Sequence, residues 1–109
     1  MREKIYIASD HGGYALKQSM LNMCADTVEW VDLGPETDAR VDYPVYADKV
    51  AEVLKGAPDG QKAVLVCGSG IGISIAANRH RWVNAALCTN EEMAQLSRAH
   101  NNANVLVLG

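Results

Sequence analysis

Phenylalanine is absent from this 109-residue chain, and cysteine and proline occur three times each. Two Trp and four Tyr are the whole aromatic complement, so any core must be built from aliphatic side chains and alanine. Basic runs are missing as well. The 10 Lys and Arg are outnumbered by 13 Asp and Glu, for a net charge of -3, and no cationic stripe is available to track a phosphate backbone; nucleic acid is not an expected partner. The longest uncharged stretch, Ala63 to Asn78, is interrupted by three glycines and falls short of the ~18 apolar residues that span a bilayer, so no membrane partner is expected. Met1-Arg2-Glu3-Lys4 is followed by too few apolar residues before Asp10 to form a secretory signal. Cys24, Cys67 and Cys88 are odd in number and widely separated, which fits free thiols in a reducing compartment and predicts a cytoplasmic protein. No Cys or His pair has zinc-ligand spacing, so no metal is expected.

What remains is the composition of an ordinary globule: 49% hydrophobic residues, 21% charged residues and a mean hydropathy of -0.08. At 11.8 kDa the chain fits a single domain, residues 1–109. Area scaling gives roughly 17,000 Å² unfolded and roughly 6,000 Å² folded, enough burial for one core.

Short apolar runs alternate with amphipathic stretches from end to end, without a linker or repeat. Lys4 to Ala8 reads as a first strand. Leu16, Met20 and Met23 share one face of a first helix, and Val28 to Leu33 reads as a half-exposed strand near a sheet edge. After a polar loop from Gly34, Pro44 suits the first turn of a second helix with Tyr46, Val50, Val53 and Leu54 inward. Ala63 to Cys67 is apolar throughout, as in a strand buried on both faces. A glycine-rich turn, Gly68 to Gly72, opens a third helix through Asn78. Val83 to Cys88, a helix from Asn90 to about Ala99 with Met93 and Leu96 inward, and a strand from Asn104 to Leu108 complete the pattern. This βαβαβαβαβ order predicts an α/β protein, a three-layer α/β/α Rossmann-like sandwich on a five-stranded parallel sheet. In such sheets ligands sit beyond the carboxyl ends of the strands. Attention therefore falls on Ser9 to Gly13, Gly34 to Tyr43, Cys67 to Gly72, and Thr89-Asn90. His100 and Asn101 precede the last strand, so sharing that site requires a neighbouring subunit.

The strongest local signal is Cys67-Gly68-Ser69-Gly70-Ile71-Gly72 between a buried strand and a helix. Its glycines allow several N–H groups to face one point, and the helix terminus adds partial positive charge, suited to a phosphate, an oxyanion or a thiolate. The same glycines would equally serve close strand-to-helix packing. Familiar motifs fail on spacing: Ile73 stands where a dinucleotide fingerprint needs glycine and where a cysteine phosphatase needs arginine. No Gly-Lys-Ser/Thr is present, and Ser74 lies inside the helix rather than at a nucleophile elbow. Asp10-His11 reads either as a helix cap with a surface histidine or as site residues. Asp42-Tyr43-Pro44 also fits a plain helix start, and His100 a dipole-complementing residue.

Taken together, Ser9-Asp10-His11-Gly12-Gly13-Tyr14 with Leu16-Lys17, Val41-Asp42-Tyr43-Pro44, the segment Cys67 to Asn78, and Ser97-Arg98-Ala99-His100-Asn101-Asn102-Ala103-Asn104-Val105-Leu106 resemble the ribose-5-phosphate isomerase B family, which includes the galactose-6-phosphate isomerase subunits. The resemblance spans essentially the whole chain. It implies a cofactor-free aldose-ketose isomerase acting on a sugar phosphate, with strand order 2-1-3-5-4 and active sites shared in a homodimer or higher homo-oligomer. Similarity makes Cys67 the base that removes the C2 proton. It makes Ser69 the hydroxyl that moves protons between O1 and O2, and the turn formed by Gly68, Gly70, Ile71 and Gly72 the anion hole. His100 opens the sugar ring with help from Asp10, Tyr43 and Asn101 contact the sugar, and His11 contacts the phosphate. A second branch of the family lacks the cysteine and carries Glu where this chain has Ile73, so the resemblance is to the cysteine branch.

Family members continue past the fifth strand into helical sequence that braces the dimer and brings arginines to the phosphate. This chain stops at Gly109, and an extension of that kind is not expected in it; Arg40, Arg79, Arg81 and Arg98 are the arginines left to substitute. Two other readings accompany the pentose-phosphate one: an isomerase of galactose 6-phosphate or another hexose 6-phosphate, and a non-catalytic sugar-phosphate-binding subunit.

Overall fold

The computed structural model describes residues 2–109. Its elements are β1 (Glu3–Ser9), α1 (Tyr14–Leu21), β2 (Val28–Asp32), α2 (Tyr43–Lys55), β3 (Lys62–Val66), α3 (Ile71–Ala77), β4 (Ala85–Leu87), α4 (Glu91–Asn101) and β5 (Val105–Leu108). All five strands are parallel, in the order β2-β1-β3-β5-β4 that the family resemblance implied. β3 is central, and its uninterrupted apolar run is explained by burial on both faces. Ala63, Leu65 and the following Cys67 face α2 and α3, where they meet Ala47, Val50, Ala51, Leu54, Ile73 and Ala77 in the main core. Val64 and Val66 face the other side with Ile7, packed by Met20, Leu21, Trp30, Leu106 and Leu108.

Two helices differ from expectation on this second side. The first helix stops at Leu21, leaving Met23 outside it and exposed, and Leu16 also points to solvent. Its deepest residue is instead Lys17, completely buried. On α4, Met93 and Leu96 are 39% and 46% exposed rather than inward, and no residue of this helix is buried. The side of α4 toward the sheet carries Ala94, Ser97 and Arg98, which border an apolar groove of about 220 Å³ over Ile5, Val64 and Leu106. The accessible area, 6476 Å², exceeds the roughly 5,900 Å² expected for this mass, consistent with a face not fully covered.

Register aligns the strand ends. Ser9 pairs with Val66, and Val66 with Leu108, so the residues following β1, β3 and β5 emerge side by side at one edge. α4 runs back from that edge to the opposite one. Asn90 caps it by accepting the Met93 N–H at 2.9 Å, Glu91 and Glu92 occupy the positive end, and left-handed Asn102 (φ 50°) ends it.

Candidate active site

The turn after β3 is built from its glycines. Gly70 has φ 78°, a conformation an L side chain resists, and a Cβ there would lie 2.5 Å from Leu87 Cδ1. This closeness lets the chain reverse from β3 into α3 with Cys67 tucked beneath. Cys67 is 5% exposed; its N–H donates to Leu108 O at 3.1 Å, and its Sγ accepts the Gly70 N–H at 3.0 Å. Ser69 Oγ accepts the Ile71 N–H at 3.2 Å. Two of the expected anion-hole donors, at Gly70 and Ile71, are therefore already used by side chains of the turn itself. Among the described residues no acceptor meets the N–H groups of Gly68, Ser69 and Gly72.

The loop after β1 lies against this turn. The Asp10 N–H donates to Val66 O at 3.1 Å, and buried Asp10 accepts the Gly13 N–H at Oδ1, 2.9 Å, leaving Oδ2 without a partner among the described residues. A Cβ on Gly12 would stand 3.1 Å from the Gly68 nitrogen, which measures how closely the two loops approach. His11 is exposed. Its Nδ1 lies 3.0 Å from Val41 O and 3.2 Å from Val41 N, an acceptor or donor contact according to tautomer, and either leaves Nε2 without a partner among the described residues.

Tyr43 joins the same assembly from the start of α2. A Cβ on Gly72 would fall 2.8 Å from Tyr43 Cζ, so the tyrosine ring rests on the glycine. A depression of about 330 Å³ beside it is bordered by Tyr43, Gly72, Ile75, Arg79 and His80. On the other flank, Ser69, Cys88, Thr89, Asn90 and Gly109 border a depression of about 460 Å³.

One chain thus brings together Asp10, His11, Tyr43, Cys67, Gly68, Ser69, Gly70, Ile71 and Gly72. It does not bring His100 or Asn101. These exposed residues end α4, whose 11 residues carry them about 16 Å from the edge that holds Cys67. Motif reading named Lys17 without a role; the structure buries it, with Nζ donating to both Asp32 oxygens at 2.9 Å and to Pro35 O at 3.0 Å.

Residues 5–109 match the Ribose/Galactose Isomerase family. The chain belongs to that family. Ribose-5-phosphate isomerase B of Escherichia coli is 43% identical to it over 109 residues, covering 98% of this chain and 72% of the relative. Among solved structures, the Clostridium thermocellum ribose-5-phosphate isomerase B is 47% identical with TM-score 0.90, over 97% of this chain and 72% of that one. The Mycoplasma genitalium enzyme, solved with bound ribulose-5-phosphate, is 43% identical with TM-score 0.90, over 100% of this chain and 73% of that one. Within the ribose/galactose isomerase family, then, this chain is an α/β member about three quarters the length of these relatives. No helix among its described residues is long and apolar enough to cross a membrane, and they contain no cluster of three or more metal-ligating side chains.

Proposed function

We propose that the chain is an aldose-ketose isomerase that interconverts ribose 5-phosphate and ribulose 5-phosphate through an enediolate, without a cofactor. The observation that carries this reading is the Cys67 thiol at the end of β3. It is bonded by one turn N–H, bordered by amides that lack acceptors among the described residues, and overlain by the loop of Asp10 and His11. In the proposed reaction Cys67 takes the C2 proton of the opened sugar and returns it at C1. Ser69 relays the proton between O1 and O2. The N–H groups of Gly68, Ser69 and Gly72 receive the enediolate oxygen, where a preorganised donor typically contributes ~2.7–4 kcal/mol. His11 meets the phosphate through Nε2, Tyr43 contacts the sugar, and Asp10 assists ring opening. Proton transfer by a positioned base adds ~10²–10⁴-fold.

Ring opening needs His100, with Asn101 as a sugar contact, and in this reading both come from a second copy of the chain. The roughly 16 Å length of α4 supports that assignment. So do Ile71 and Ile75, 54% and 55% exposed beside the turn, large apolar side chains of the kind that subunits cover. Direct assay separates the readings. Turnover of ribose 5-phosphate supports the proposal; turnover of only six-carbon phosphates would replace the substrate, and saturable binding without turnover would leave a non-catalytic subunit.

A further inference from the structure

His11, Tyr14 and Lys17 recur at every third position, and all three reach the same loop, the one that delivers Tyr43. His11 Nδ1 meets Val41. Tyr14 Oη donates to Glu36 O at 3.0 Å. Lys17 Nζ donates to Pro35 O at 3.0 Å and to the Asp32 carboxylate, whose Oδ1 also accepts the Gly34 N–H at 2.8 Å. Gly34 O in turn accepts the Ser9 N–H at 3.1 Å. The loop is held at its start, near its start and near its end by one side of α1 and the residues just before it.

Lysine is rarely buried completely, and an apolar side chain could fill the same volume. What the ammonium adds is direction, since it fixes one carbonyl and one carboxylate at set distances where a methyl group would tolerate sliding. His11 holds the loop at Val41, with only Asp42 before Tyr43, whose ring lies on Gly72, while Tyr14 and Lys17 fix the other end of the same loop at Glu36 and Pro35, seven and eight residues before the tyrosine. We propose that Tyr14 and Lys17 are positioning residues that set the Tyr43 ring against the Cys67–Gly72 turn. Their catalytic importance rests on the reading of Tyr43 as a sugar contact; their effect on the ring does not.

The test therefore has two arms. In solution NMR of the whole chain, Tyr43 ring protons should show a cross-relaxation contact with the Gly72 α-protons. Tyr14→Phe, which removes one hydroxyl, and Lys17→Met should each weaken that contact. Amide exchange at Gly34, Ala39 and Val41, the loop N–H groups that have acceptors, should quicken roughly 3- to 10-fold, while Val64, Leu65 and Val66 keep their protection. In the kinetic arm, Tyr14→Phe should raise KM for ribose 5-phosphate in the natural background but not in a Tyr43→Phe background. An unchanged ring contact in Tyr14→Phe overturns the proposal even if Lys17→Met fails to fold, and additive effects in the double variant overturn it as well. Should Tyr43→Phe by itself leave kcat and KM unaltered, the sugar-contact reading fails, and the NMR arm still decides the positioning role.

Discussion

Replacing Gly72 by alanine tests whether Tyr43 belongs to the site, because it pushes on the ring without removing any group that reacts. Gly72 is the second residue of α3, where alanine is favoured by about 1 kcal/mol. Its new Cβ would meet Tyr43 Cζ at 2.8 Å, Cε1 at 3.0 Å and Cε2 at 3.2 Å. Carbon pairs settle near 3.5–4.0 Å, so the ring must retreat by roughly 1 Å. Being 41% exposed, it has solvent to retreat into. An off-rotamer tilt costs about 0.5–1.5 kcal/mol, comparable to the helix gain. Gly72→Ala should therefore unfold within about 1 kcal/mol of the natural chain, while a contact displaced by ~1 Å lowers turnover by up to ~10²-fold. Urea unfolding and initial rates on ribose 5-phosphate at low concentration read the two effects separately. Gly56→Ala is the control, since nothing lies within 4 Å of a Cβ there. Natural turnover by Gly72→Ala would refute the reasoning, and a stability loss well above ~2 kcal/mol would show the ring to be clamped rather than yielding.

Four further outcomes are expected. Cys67→Ser should keep the fold and sugar-phosphate binding while turnover falls by ~10²-fold or more, because near neutral pH a thiol furnishes the anion that accepts a proton far more readily than a hydroxyl does; exposed Cys24→Ser should change turnover little. Iodoacetamide labelling of Cys67, followed by mass spectrometry, should track inactivation and be slowed by bound substrate. Mixing inactive Cys67→Ala and His100→Ala chains should restore activity through hybrid assemblies; demonstrated subunit exchange with no recovery would remove the shared site. Gly13→Ala should destabilise the chain by about 1–3 kcal/mol in chemical denaturation, since its Cβ would stand 2.4 Å from the Val66 carbonyl oxygen and neither backbone can yield freely.

The alternation of apolar strands and amphipathic helices was legible in the sequence because it depends on short-range periodicity. So was the glycine spacing that shapes the Cys67 turn, and with it the edge of the sheet where chemistry should gather. Strand order was not legible from pattern; it came from family resemblance, since adjacency of β3 and β5 is a contact between distant segments. The inward sides of α1 and α4 were misread for a related reason. Apolar spacing pointed Leu16, Met93 and Leu96 inward, but burial depends on what a helix packs against, and α4 presents Ala94 and Ser97 to an uncovered groove. Nor could one-dimensional reading bury Lys17, whose partners Asp32 and Pro35 lie 15 and 18 residues away. The sequence by itself determined which residue types were available for proton transfer and anion binding. That His100 lies at the opposite edge already followed from its place just before the last strand; only the tertiary structure decided that Tyr43 rests on Gly72, because that contact joins two different helices across 29 residues of chain.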